Sequence, residues 1–137
     1  MSAPAVSLSF ASVFAADIVG LADYYRDVFG LAAVAGLDSP HFRGLWVGPV
    51  VLGFSAHTAY DLLALEPPSH GRDGVVSFLT FECATEPEVA TRFATAVSRG
   101  GTAVQEPHRT YYGAWQAVVR DPEGNVFRIN HLPLAPG

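Results

Sequence analysis

The sequence predicts an α+β protein of two βαβββ modules, whose strands form a curved mixed sheet with helices on its convex face and a cavity on its concave face. Three observations carry this expectation. The order strand, helix, three strands occurs twice along the 137 residues. Each helix cap, Asp17 and Thr85, follows a strand phenylalanine, Phe10 and Phe78, by the same seven residues. The chain closes on Asp121-Pro122-Glu123-Gly124-Asn125, dense turn chemistry between two apolar runs, which joins two strands in a hairpin.

Taken in order, Ala5 to Ala15 reads as a strand and Asp17 as the cap of a helix from Ile18 to Phe29. Ile18, Leu21, Tyr25 and Val28 recur at helical spacing, and Gly30 supplies the stop. Three short strands follow, Ala32 to Leu37, His41 to Val47 and Val50 to Ser55, then a helical piece from His57 to Leu65. This first module spans 5–66. Pro and Gly crowd a linker over 67–74.

The second module, 75–133, repeats the pattern. Val75 to Cys83 is its first strand, and Thr85-Glu86-Pro87-Glu88 has the form of a capping box with proline in the first turn. Val89, Phe93, Ala96 and Val97 give the apolar face of the helix, which ends at Arg99-Gly100-Gly101. Thr102 to Gln105 is a short strand broken by Glu106-Pro107. Tyr111 to Val119 and Asn125 to His131 form the closing hairpin. The modules superpose at an offset of 68, growing to 75 at the last strands, with little residue identity. A βαβββ unit alone leaves its sheet uncovered, so both modules serve one domain of 1–137.

Composition narrows the function. Half the residues are hydrophobic, and the formal charge of −5 comes without a basic stripe, which argues against nucleic acid and anionic membrane. No apolar stretch approaches the roughly 20 residues that span a bilayer. Met1-Ser2-Ala3-Pro4 lacks the basic start of a signal peptide, so the expectation is cytoplasmic. Cys83 is the only cysteine, which removes internal disulfides and multi-cysteine metal sites. All eight basic residues are arginine, which removes lysine Schiff bases and P-loop phosphate binding. Nine Phe, five Tyr and two Trp suffice for a core and for the walls of a ligand site.

The closing Asp121-Pro122-Glu123-Gly124-Asn125 resembles the signature Asp-Pro-(Asp/Glu)-Gly-Asn-x-x-Glu of the vicinal oxygen chelate superfamily, the glyoxalase, bleomycin-resistance and dioxygenase proteins. The Tyr24-Tyr25-Arg26-Asp27-Val28-Phe29-Gly30-Leu31 segment is similar to the end of that family's first helix. With the repeat, the resemblance covers essentially the whole chain. It implies the two-module fold and a homodimer. It also implies four metal-ligand positions on the concave face, typically His or Glu, which map onto Phe10, Gly53, Phe78 and Arg128. Phenylalanine and glycine offer no side-chain donor and guanidinium is permanently cationic, so neither metal nor cofactor is expected.

Strand alternation assigns the remaining candidates. Phe10 brings Ser12 and Phe14 to its face, Phe78 brings Thr80 and Glu82, and Arg128 brings Asn130. Phe42, Trp46, Tyr111, Tyr112 and Trp115 lie on strands that border the family's cavity, with Phe42, Trp46, Tyr112 and Trp115 taken as ligand walls that stack on a planar guest. Two roles are open to Arg128: pairing with Glu82 or covering a sheet edge, and holding a carboxylate, phenolate or carbonyl of a ligand. His41 and His108 lie near strand starts within reach of the cavity mouth, His70 lies in the linker, and no histidine pair has metal-ligand spacing.

These residues imply a metal-free small-molecule binding protein for an aromatic or planar metabolite, an antibiotic included. The alternative is a metal-independent enzyme acting on a ring-containing intermediate, with Glu82, Arg128 or a histidine moving a proton. A metal-dependent glyoxalase or dioxygenase ranks third, because the expected ligands are missing. Catalytic residues and the identity of the ligand are not readable from the sequence.

Overall fold

The computed structural model describes residues 6–68 and 74–134. The chain divides into two compact units, Met1–Pro67 and Pro68–Gly137. Most of the expected linker and His70 lie outside the described residues.

In the first unit, β1 (Phe10–Ala15) leads to α1 (Ile18–Phe29), followed by β2 (Ala32–Ala33), β3 (Phe42–Val47), β4 (Val50–Ala56) and the short α2 (Ala59–Leu62). The helix forms where its signals lie. Asp17 Oδ1 accepts a hydrogen bond from Gly20 N at 3.0 Å, and Gly30 closes the helix with φ of 67°, a left-handed geometry that glycine adopts without penalty. The four strands order as β1-β4-β3-β2, with β1 and β4 parallel and the other pairs antiparallel. Ile18, Leu21, Tyr25 and Val28 are buried, and Tyr25 meets Phe54 of β4 with ring centroids 5.5 Å apart. Leu45, Leu52 and Phe54 complete the apolar layer on this helix side.

The second unit repeats this plan. It holds β5 (Leu79–Glu82), α3 (Glu86–Ser98), β6 (Thr102–Arg109), β7 (Trp115–Arg120) and β8 (Val126–His131), ordered β5-β8-β7-β6 with β5 and β8 parallel. Thr85 Oγ1 accepts from Glu88 N at 3.3 Å, and Glu88 Oε1 accepts in return from Ala84 N at 3.2 Å, one residue before the reciprocal partner of a capping box. Phe81, Phe127, Ile129, Ala117, Val119 and Val89 form the core of this unit.

The repeat extends to strand register. Ser12 pairs with Gly53 in the first unit and Thr80 with Arg128 in the second, so the offsets of 68 and 75 carry one pair onto the other. The result is two four-stranded mixed sheets. No helix among the described residues is long and apolar enough to cross a membrane.

Several boundaries differ from the sequence expectation, each for a local reason. Residues 6–9 and 75–78 lie outside the ladders, so β1 and β5 are shorter than expected at their starts. The expected strand Ala32 to Leu37 stops at Ala33, where Ala35–Leu37 coils into a 3-10 turn around Gly36. The helical piece shrinks to Ala59–Leu62, which ends before a left-handed Ala64 (φ 57°). By contrast, β6 runs through Pro107 to Arg109. It is an edge strand with two register shifts, so a proline without an N–H breaks no ladder bond that the strand needs. Tyr111 and Tyr112 fall in the turn before β7 rather than in a strand, because Thr110 O accepts from Gly113 N and Gly113 turns the chain with φ of 91°. In α3, Val97 is 38% exposed rather than part of the apolar face.

Candidate functional site

The second unit places a polar cluster on the sheet face opposite α3. Cross-strand pairing puts Thr80 and Glu82 of β5, Arg128 and Asn130 of β8, and Gln116 of β7 on one side. Phe81, Phe127, Ile129, Ala117 and Val119 take the other side, which is why a polar residue alternates with an apolar one along these strands. The sequence therefore directs five polar side chains to a face that the core leaves free.

Arg128 sits at the centre of this cluster. Its Nε donates to Thr80 Oγ1 at 2.9 Å. Its Nη1 donates to Gln116 Oε1 at 3.2 Å and to Tyr112 Oη at 3.3 Å, and Tyr112 Oη in turn donates to Gln116 Oε1 at 2.9 Å. The guanidinium carbon lies 4.9 Å from the centroid of the Phe78 ring, within the range of a cation–π contact. All these partners are neutral. Among the described residues no carboxylate pairs with Arg128.

Of the roles open to Arg128, the pair with Glu82 is not formed among the described residues. Glu82 has other donors: its Oε1 accepts from Asn130 Nδ2 at 2.9 Å and its Oε2 from Leu132 N at 2.6 Å. These bonds hold the Asn130 amide in one orientation, since its nitrogen must face the carboxylate. Asn130 is only 8% exposed, and its Oδ1 is buried without a hydrogen-bond partner among the described residues.

The first unit carries an aromatic face of its own. Pairing of β1, β3 and β4 puts Phe10, Ser12, Phe14, Phe42 and Trp46 on the side opposite α1, together with Gly44, Val51 and Gly53. Phe10 and Phe42 meet with centroids 6.1 Å apart, and Phe14 stacks on Tyr60 of α2 at 3.8 Å. The Phe42 ring lies over Gly53. A Cβ built on that glycine would stand 2.7 Å from Phe42 Cε2 and 2.7 Å from Ser12 Oγ.

At the four positions that correspond to the expected ligands, the residues present do not fit a divalent metal. Phe10 and Gly53 in one unit and Phe78 and Arg128 in the other provide no anionic or neutral donor, and the Phe42 ring already occupies the space beside Gly53. Among the described residues, no group of three or more His, Cys, Asp and Glu side chains is placed to hold a metal ion.

Of the seven candidate ligand residues in the second unit, the structure separates one from its expected neighbours. Trp115 pairs with His131 and shares its face with Ala117 and Val119, on the helix side of the sheet. It lies 5.1 Å from the Arg109 guanidinium, which is ion-paired with Glu86 at 2.6 Å. Phe78 reaches Arg128 from outside the strand that was expected to carry it. Tyr112 reaches it from the turn. His108 pairs in register with Gln116, and its Nδ1 lies 2.9 Å from Glu106 O. His41 Nδ1 contacts Thr58 Oγ1 at 2.7 Å in the other unit.

Gln116 is the member that sequence reasoning missed. Its signal was present, since it is the one polar residue in the run 114–119. The parity of that strand was unassigned because the hairpin start was placed too early.

Comparison with known proteins agrees with this architecture. The family model described as Glyoxalase/Bleomycin resistance protein/Dioxygenase superfamily matches residues 7–129. A glyoxalase/bleomycin resistance protein/dioxygenase family enzyme from Burkholderia phytofirmans PsJN is 39% identical, with 93% of this chain and 100% of that one covered and a TM-score of 0.87. Lactoylglutathione lyase from Agrobacterium tumefaciens is 24% identical over 93% of this chain and 95% of its own, with a TM-score of 0.71. TioX from Micromonospora sp. ML1 is 18% identical over 92% and 98%, with a TM-score of 0.65. The last two likenesses show the fold alone. A search of curated proteins gave no match. With a family model spanning most of its length and a relative of this identity covered from end to end, the chain belongs to the glyoxalase/bleomycin resistance protein/dioxygenase superfamily.

Proposed function

We propose that this chain is a metal-free small-molecule binding protein that takes an aromatic or planar metabolite, in the manner of the bleomycin-resistance branch. One observation carries the reading. At the position corresponding to the family's last ligand stands Arg128, fixed by Thr80, Gln116 and Tyr112, backed by the Phe78 ring, and free of any carboxylate among the described residues. A cation held by neutral groups keeps its charge available for a guest. An aromatic neighbour suits a flat one. Titration of the purified protein with a panel of aromatic and planar metabolites, followed by calorimetry, tests the reading. Saturable binding by metal-stripped protein is expected. Absence of saturable binding across the panel overturns the proposal, as does binding that returns only when a divalent metal is added.

A second reading rests on the Burkholderia relative, which is described as an enzyme. In a catalyst working without metal, Glu82 and His108 are the groups on this face able to move a proton. Turnover abolished by Glu82→Gln with binding retained would favour this reading over sequestration.

A further inference from the structure

We infer that the Arg128–Asn130 face of the second unit binds a planar carboxylate that also carries a hydrogen-bond donor, an O–H or N–H, meta to it on the same ring. The inference rests on the small-molecule reading above and specifies the class of molecule. Two unspent groups define it.

The first is the cation. A guanidinium has five N–H donors, and Arg128 uses Nε and Nη1 on Thr80, Gln116 and Tyr112. Its Nη2 makes no hydrogen bond among the described residues. Those N–H groups point apart, so one of them, on a charge without a counter-ion among the described residues, suits an oxygen of a carboxylate.

The second is the buried acceptor. Among the described residues Asn130 Oδ1 has no donor, although burial makes an unpaired polar atom costly. Rotating the amide does not relieve it, because the nitrogen would then leave Glu82 and the oxygen would face a carboxylate. Glu82 is thus a positioning residue: through Nδ2 it fixes the amide, with Oδ1 as the end left unpaired among the described residues. Arg128 and Asn130 are two residues apart on β8, so their side chains leave the same face about 6.6 Å apart. A carboxylate and a donor in meta relation on one ring match this span. A lone anion leaves Oδ1 unpaired, and a neutral ring leaves Arg128 uncompensated.

Three probes separate these contributions: 4-hydroxy-2-naphthoate, 2-naphthoate and methyl 4-hydroxy-2-naphthoate, titrated by calorimetry and by naphthalene fluorescence anisotropy. The hydroxy acid is expected to bind about tenfold tighter than its ester and several-fold tighter than the unsubstituted acid. Arg128→Met should abolish the preference for acid over ester, and Arg128→Lys should retain part of it. Asn130→Leu should abolish the preference for the hydroxyl and leave that for the acid. Equal binding of acid and ester by the unaltered protein overturns the inference while small-molecule binding stands. Retention of the acid preference in Arg128→Met overturns the assignment to Arg128. If none of the three probes binds and neutral planar compounds do, the inference fails alone; if nothing planar binds, the function proposed above fails with it.

Discussion

Arg128 Nε donates to Thr80 Oγ1 at 2.9 Å across the parallel ladder in which the two residues are direct partners. Their counterparts in the first unit, Gly53 and Ser12, occupy the same register with no such bond to make. The repeated βαβββ topology therefore holds two equivalent positions with opposite chemistry, one covered by an aromatic ring and one bearing a fixed cation. The hydroxyl sets the direction of the guanidinium, so Thr80→Val should loosen it without disturbing the strand. Ligand affinity is expected to fall about three- to tenfold, with stability lowered by about 1 kcal/mol or less. Parallel calorimetry and urea denaturation of the variant check both numbers. An affinity loss no larger than the change in stability would show that the bond serves the fold.

Gly53 is the corresponding test in the first unit. A Cβ there would meet Phe42 Cε2 and Ser12 Oγ at 2.7 Å, closer than side chains pack, and the strand pairing keeps the backbone from yielding. Gly53→Ala should therefore cost about 1–3 kcal/mol through displacement of the Phe42 ring. Pairing it with Phe42→Leu should recover part of the loss. Denaturation midpoints of the two single variants and the double variant form the cycle that checks this coupling. Additive effects would mean that the ring is not what fills the position.

Asp121 tests the hairpin. It is buried, its Oδ1 accepts from Glu123 N at 2.8 Å and Asn125 N at 3.0 Å, and its Oδ2 accepts from Asn125 Nδ2 at 3.0 Å. One side chain thus holds the turn that delivers β8, and with it Arg128, to the sheet. Asp121→Ala is expected to cost about 1–3 kcal/mol, since it removes three hydrogen bonds to a buried carboxylate. Asp121→Asn, which keeps an acceptor but turns a donor toward Asn125, should cost less. Thermal unfolding of both variants measures the order, and the reverse order would refute this role.

The fold was legible because its signals are local. Asp17, Gly30 and Thr85 mark helix ends through bonds to residues within four positions, and the Asp121 turn is closed by its own side chain. Alternation then sorted Thr80, Glu82, Arg128 and Asn130 onto one face, because the core demands Phe81, Phe127 and Ile129 on the other. What the sequence left unread depends on distances it does not encode. Trp115 was a candidate ligand wall on a strand of unassigned parity; the turn over 110–113 sets where β7 begins, and one residue of slip inverts every side chain of a strand. Glu82 was left open as a partner for Arg128. The strand pairing instead sets it across from Asn130, whose amide and the following Leu132 N take both oxygens.

Cys83 supplies a pH test of the second unit's core. Burial pushes its thiol up to about 11, with the nearby Glu88 carboxylate adding to the effect. The thiolate is thus disfavoured in the folded protein and freely formed in the unfolded chain, where a cysteine ionises near about 8.5. The sign follows: the contribution to stability is fully present below the unfolded value and is lost as pH rises toward about 11. At pH about 8 the native thiol should react with an aromatic disulfide reagent at least tenfold slower than in denaturant. Between pH 9 and 11 the urea midpoint of the unaltered protein should fall more steeply than that of Cys83→Ala, because only the former releases an extra proton on unfolding. Matching slopes for the two proteins would show that the thiol is already ionised, or already solvated, in the folded state.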